Sequence, residues 1–342
     1  MNDIARVAGV SLATVDRVLN ARSGVRDVTI EKVNNAIAEL GFIRDTAAAN
    51  LARKRRYRLC FIIPDGANEF MIALDDEIAN QGARLQHQRT TLKRISVPPF
   101  DPEAVVDALD ALDLQNTDGV AVISVETPAV RDAVKRARER GLSVIALVSD
   151  LPRSERDHFV GIDNVAAGRT AAKLMGRFVH KASPILVITG SRLAQDHLAR
   201  RNGFDALLAE DFPDLKVAAS IEGRDDPDLI YAMLPKVFAA NPDLGGIYSS
   251  AAGNPGLIRF LEETGPYDNL AVVAHELTAA SRAALTSGVF DAVINQDTGH
   301  IVRSATRLLR ASLDNVPFDD TQERIRIDIY LKENLPRQGG PT

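Results

Sequence analysis

Two apolar rhythms divide this chain near residue 58. Before that point, apolar side chains recur three and four apart: Ile4, Val7 and Ala8, then Val15, Val18 and Leu19, then Ile30, Val33, Ile37 and Leu40. Each set makes one face of a short helix. Gly9 suits a tight link after the first helix, Ser11 is placed to cap the second, and Gly41 ends the third. Beyond Leu59, short apolar runs ("LCFIIP", "GVAVIS", "SVIALV", "PILVITG", "KVAASI", "GGIYSS", "LAVVAH", "DAVINQ") alternate with amphipathic stretches such as "AVRDAVKRARERG". Repetition of strand, helix and strand predicts an α/β region of parallel sheets covered by helices on both sides. Ligands of such folds sit at the carboxyl ends of the strands. Between the two regions lies "RDTAAANLARKRRYR", Arg44 to Arg58, with little to bury and a strongly basic end. It reads as a linker that folds with a partner.

Charge follows the same division. The chain of 342 residues has a net charge of -5, yet residues 1–58 hold 11 Lys and Arg against 6 Asp and Glu. A basic segment on an acidic body fits a protein that touches nucleic acid at one end; uneven solvated charge is the plainer alternative. The single cysteine, Cys60, excludes an intrachain disulfide. With no long apolar span and no apolar leader core, the expectation is a cytoplasmic protein without membrane contact.

A helix, a tight turn and a capped second helix match a helix-turn-helix, although an ordinary helical hairpin has the same pattern. The outer face of the second helix would carry Leu12, Ala13, Asp16 and Arg17, and such a face can enter a major groove.

"DIARVAGVSLATVDRVLN", "VRDVTIEKVNNAIAELGFI" and "AAANLARKR" together resemble the lactose-repressor (LacI/GalR) family of bacterial transcription regulators, without gaps over about residues 2–57. The resemblance continues more loosely into a core similar to periplasmic ribose-type binding proteins. It implies a headpiece over 1–44, a hinge helix and linker over 45–58, and a two-lobed core over 59–342. One lobe is expected at about 59–160 and 292–324, the other at about 161–291 and 325–337. The chain should therefore cross between lobes near residues 160, 292 and 324.

The resemblance also implies roles. Leu12 and Ala13 hold the base-reading positions, where apolar side chains pack on thymine methyls. Ser11, Thr14 and Arg17 match DNA-contacting positions, and Asn20 the end of that helix. Leu51 holds the place of a leucine that wedges into the minor groove, and Ala48 lets paired hinge helices approach. Asp16 departs from the usual serine, and "IRD" at Ile43–Asp45 lacks a proline common before the hinge. Arg26 replaces a capping serine, a task left to Asp27.

In the core, Asn68 and Phe70 of "PDGANEF" match the family's polar and aromatic ligand positions, with Glu69 in place of proline. Arg200 of "ARRNGF" takes the place of a ligand-clamping arginine. Glu276 and Gln296 stand where sugar hydroxyls are bound. Ser250, Asn254, Asp150 and Asp163 are weaker candidates, for which cleft lining and structural roles weigh evenly. The implied effector is a sugar, polyol or sugar derivative, and the arginine would admit a sugar acid or phosphate.

No G-x-G-x-x-G, no P-loop and no complete H-E-x-x-H is present, so an enzyme or a cofactor has no motif behind it. A sugar-binding protein without a DNA role remains the alternative. The expectation is a regulator, a repressor in sense, binding double-stranded pseudo-palindromic operator DNA as a homodimer.

Overall fold

The computed structural model describes residues 1–19, 23–41, 55–179, 182–267 and 269–337. Two compact units result, residues 1–55 and 56–342.

The first unit has α1 (Asn2–Ala8), α2 (Leu12–Leu19) and α3 (Asp27–Glu39). Their shared core is small: Ile4, Ala8, Val15, Val33 and Ala36, with Val18, Leu19 and Ile37 packed against it. Gly9 adopts the left-handed conformation that closes α1, with φ 65°. Two of the expected core positions face outward instead: Val7 and Leu40 are 39% and 40% exposed. Ala36 closes the core where Leu40 would be one turn too far along.

The second unit contains two sheets. β1 (Tyr57–Pro64), β2 (Thr90–Val97), β3 (Gly119–Val122), β4 (Ser143–Leu147) and β5 (His158–Val160) form the first, in the order β2-β1-β3-β4-β5, all parallel. Its cover includes α4 (Glu69–Leu85), α5 (Pro102–Asp110) and α6 (Pro128–Glu139). Period-two alternation sorts each central strand between two cores: Leu59, Phe61 and Ile63 face one side, Cys60 and Ile62 the other. The edge strand β2, "TTLKRISV", buries only its two ends, so it lacks the apolar run that marks its neighbours.

The second sheet has the order β11-β10-β9-β8-β6-β7. Its strands are β6 (Pro184–Thr189), β7 (Lys216–Glu222), β8 (Gly246–Ser249), β9 (Ala271–His275), β10 (Ala292–Asn295) and β11 (Asp328–Tyr330). The sheet is not wholly parallel, because β11 runs antiparallel to β10. Packed with it are α7 (Asn164–Phe178), α8 (Gln195–Asp211), α9 (Pro227–Ala240), α10 (Asn254–Thr264) and α11 (Ala279–Ser287).

α12 (Thr298–Asp314) returns to the first sheet and packs on α4, β1, β3, β4 and β5. Tyr57, at the start of β1, donates its hydroxyl to Asp314 at 2.6 Å, and the Arg310 guanidinium lies over its ring at 4.8 Å. The second passage between lobes therefore follows Asn295, not residue 292: β10 pairs with β9 and β11 and belongs to the second sheet.

Candidate functional site

In the headpiece, Ser11 caps α2. Its hydroxyl accepts from the Thr14 N–H at 3.1 Å, and the two hydroxyls lie 2.9 Å apart. Val15 is fully buried, which turns Leu12, Ala13 and Arg17 to solvent; Leu12 is 47% exposed. Thr14 and Asp16 are half-buried. Arg26 holds the cap position of α3 with no capping bond from its side chain, and Asp27 lies inside the first turn, where its charge suits the helix dipole. Asn20, Ala48, Leu51 and the hinge helix expected over 45–53 lie outside the described residues.

Between the two sheets of the second unit lies a cavity of about 460 Å³. Its walls are the loops after β1, β2, β3 and β4 on one side, and the start of α8 and the loop after β7 on the other. The strands' carboxyl ends thus open into it, as this fold class requires. Asn68 lines it. The Asn68 side chain caps α4 by accepting from the Phe70 and Met71 N–H groups, and its amide donates across the cleft to Asp225 at 3.0 Å.

The other expected residues lie elsewhere. Phe70 is 6% exposed and packs in the core beneath α4, where it also edges a second cleft that it shares with Glu276 and Gln296. Asp150 is clamped by Arg156 through two bonds at 2.5 and 2.7 Å. Asp163 is exposed and caps α7 through the Ala166 N–H. The Ser250 hydroxyl donates to the Ile188 carbonyl, and the Asn254 amide ties the Ser249 hydroxyl to the His275 carbonyl.

Arg200, 2% exposed, anchors a buried network beside the cavity rather than lining it. Its guanidinium donates to Asn164 Oδ1 at 2.8 Å, to the Ser250 carbonyl at 2.9 Å and to Glu276 Oε1 at 3.4 Å. Gln296 donates to the same Glu276 oxygen at 2.9 Å. Burial raises the Glu276 carboxyl above its ordinary range, opposed by Arg200. Its Oε2 is buried with no partner among the described residues. The remainder of "ARRNGF" explains itself by packing. A Cβ at Gly203 would strike the Val165 carbonyl, one at Gly168 the Arg200 carbonyl, and Phe204 stacks on Tyr248 at 4.4 Å. Glycines let α7 and α8 touch backbone to backbone.

Several cavity residues were not read from the sequence: Phe100, Asp196, His197 and Asp225. Phe100 and His197 face each other from opposite lobes, ring centroids 6.3 Å apart. Asp196 is 7% exposed, its carboxylate 3.5 Å from His197 Nε2. Burial opposes its charge, but His197 and Arg200 hold it below the ordinary carboxylate range. Burial pushes the Asp225 carboxyl up, with His197 opposing. One signal was available: Asp196 and Arg200 are four apart in "QDHLAR", hence on one helix face. Backbone strain marks the same place. Phe100, Val148, Arg224 and Asp225 all line the cavity with φ between 52° and 61°, which for bulky Phe100 and β-branched Val148 is a true outlier.

Comparison with known proteins agrees with this architecture. Residues 59–315 match the periplasmic binding protein domain, and residues 1–45 match the bacterial regulatory proteins of the lacI family. The chain is 27% identical over 209 residues to HTH-type transcriptional regulator DegA of Bacillus subtilis (strain 168), covering 61% of this chain and 60% of that protein. It is 26% identical over 198 residues to catabolite control protein A of Staphylococcus aureus (strain MRSA252), covering 57% of each. The chain thus spans less than two thirds of these curated relatives. Among solved structures, an ABC transporter solute binding protein from Burkholderia graminis C4D1M in complex with D-arabinose superposes with a TM-score of 0.73 at 22% identity, covering 82% of this chain and 96% of that one. One from Actinobacillus succinogenes 130z with bound D-allose gives 0.72 at 18% identity, covering 81% and 98%. At these identities the likeness is one of fold. By these matches the chain belongs to the periplasmic binding protein domain family over residues 59–315 and carries a lacI-family regulatory domain over residues 1–45.

Proposed function

We propose that this chain is a transcriptional regulator, a repressor in sense, whose headpiece reads double-stranded DNA and whose core binds a small carbohydrate-type effector. The observation that carries the reading is the solvent-facing side of α2 on a lacI-family headpiece, with Leu12, Ala13 and Arg17 free of the helical core. Arg17 supplies a phosphate or base contact, and the two apolar residues supply contact to thymine methyls. Leu51 and Ala48 carry the proposed hinge contact in the minor groove. A homodimer would match a pseudo-palindromic operator, and action on chromosomal DNA places the protein in the cytoplasm.

Effector control rests on the cavity between the lobes. The Asn68–Asp225 bond spans that cleft, so an occupant that replaces or strengthens it changes the lobe-to-lobe equilibrium. To swing a two-state population from 99:1 to 1:99, the effector must favour one state by about 5.5 kcal/mol.

The test is selection of duplex DNA from a random pool by the full chain, followed by titration against salt. Enrichment of a two-fold symmetric site is expected, with the logarithmic salt slope reduced by about one in Arg17→Ala. No enrichment overturns the reading in favour of a binding protein without a DNA role, and a core lacking residues 1–55 that still selects the same site overturns the assignment of DNA reading to the headpiece.

A further inference from the structure

We propose that the inter-lobe cavity takes a ligand carrying a protonated amine, an amino sugar or amino polyol, in preference to a neutral sugar or a sugar acid. This rests on the cavity being the effector site. The donor–acceptor balance of its walls carries the inference. Six aspartates line it (Asp65, Asp101, Asp196, Asp225, Asp226 and Asp228) against a single arginine, the exposed Arg224. Asp101 and Asp226 are engaged in capping helices. Asp196 is nine-tenths buried and faces the cavity, and Asp225 Oδ1 is buried with no partner among the described residues.

Most donors on the same walls are already directed elsewhere, the exposed Arg224 apart. The Asn68 amide points at Asp225 and the Ser124 hydroxyl at the Val125 carbonyl. His197 Nδ1 accepts from the Ser191 N–H, which leaves its proton on Nε2, toward Asp196. Arg200, which an acid would need, is consumed by Asn164, Ser250 and Glu276. A sugar hydroxyl wants a donor as well as an acceptor, and a carboxylate wants donors only. An ammonium brings three donors and no acceptor, the complement of these walls. Phe100 adds an aromatic ring within reach of a cation, and Met71, Val97 and Val148 offer apolar wall to a carbon skeleton. The carboxylates are spread along the cavity: among the described residues no three His, Cys, Asp or Glu side chains are grouped to hold a metal ion.

The experiment is calorimetric titration of the full chain at pH 7 with D-glucosamine, D-galactosamine, D-mannosamine and their amino alditols. Each is paired with its neutral parent and its uronic acid, and calcium chloride is titrated alone. At least one amine is expected to bind ten-fold or more tightly than its neutral parent, with the uronic acid silent. Asp225→Asn, whose amide tolerates the left-handed backbone there, should weaken that amine at least ten-fold while leaving the fold intact by circular dichroism. Asp196→Asn is the second variant. A neutral parent or uronic acid binding as well as every amine, a response to calcium alone, or no binding of any amine overturns the proposal. DNA binding measured on the same preparations separates the two readings: a protein that selects its operator but ignores amines refutes this inference and leaves the regulator standing.

Discussion

Replacing Arg200 with methionine tests whether this arginine holds the fold or waits for a ligand. Methionine keeps the length of the stem and deletes the guanidinium. Three bonds vanish: to Asn164, to the Ser250 carbonyl and to Glu276. Each neutral acceptor left buried costs about 1–3 kcal/mol, and a buried carboxylate stripped of its counter-ion raises the loss to about 3–5 kcal/mol for the pair as a whole. We expect about 4 kcal/mol from the ligand-free core, a large share of a typical stability of about 5–15 kcal/mol. Urea unfolding followed by far-ultraviolet circular dichroism measures it, since the chain has no tryptophan.

The pH dependence gives a second reading of the same variant. Glu276 is held above its ordinary range by burial against the pull of Arg200. The folded state therefore keeps its proton to higher pH than the unfolded state, and stability falls as pH rises above the ordinary carboxylate range near 4. Without Arg200 that fall should steepen. In the double variant Arg200→Met, Glu276→Gln it should disappear, and roughly half the lost stability should return, because no charge remains to be buried. A loss under about 1 kcal/mol, or a double variant no more stable than the single one, would refute the network and return Arg200 to the role of a pure ligand clamp.

Three further outcomes follow from the packing. Gly203→Ala drives a methyl into the Val165 carbonyl and should destabilise the core by about 1–3 kcal/mol or more, read as a lowered urea midpoint. Cys60, 1% exposed with its thiol pushed up to about 11 by burial, should resist Ellman's reagent in the native protein and react fully in urea; reaction of the folded form at the denatured rate would contradict the buried strand. His275 is buried against the Tyr248 hydroxyl and its ionisation is pushed well below the ordinary range, first by burial and then by Arg200 and His197. The unfolded chain thus takes up this proton first, and its contribution is lost as pH falls below about 6.5, by up to roughly 1.4 kcal/mol per pH unit. His275→Gln should flatten that slope in melts between pH 7 and 5, and an unchanged slope would contradict it.

What could be read from the sequence follows the depth of burial. Strands covered on both faces, such as "LCFIIP" and "SVIALV", announce themselves because nearly every position is apolar. β2 escapes because Lys93, Arg94 and Ser96 interrupt it at a sheet edge, and β11 because three residues set no period. The cavity inherits that blindness. Phe100 follows β2, and Asp225 follows β7 in a strained loop, so neither belongs to a periodic pattern. Asn68 was legible because "PDGANEF" resembles the family's ligand loop directly after a recognisable strand. Arg200 was legible as important, but a motif does not reveal whether a guanidinium points into a cleft or into the protein. Only the positions of Asn164 and Glu276, 36 and 76 residues away, decide that.

The bond between Tyr57 and Asp314 closes the first lobe with residues 257 positions apart. On a ribosome adding about 5–20 residues per second, β1 would emerge roughly 13–50 s before α12 exists to cover it. Throughout that interval the inner face of the first sheet, with Leu59, Phe61 and Ile63, lacks its final lid. The nascent chain is thus most exposed to mispairing and chaperone capture while the second lobe is being made, and slowed translation in that stretch should reduce the yield of folded protein more than the same delay within the first 150 codons.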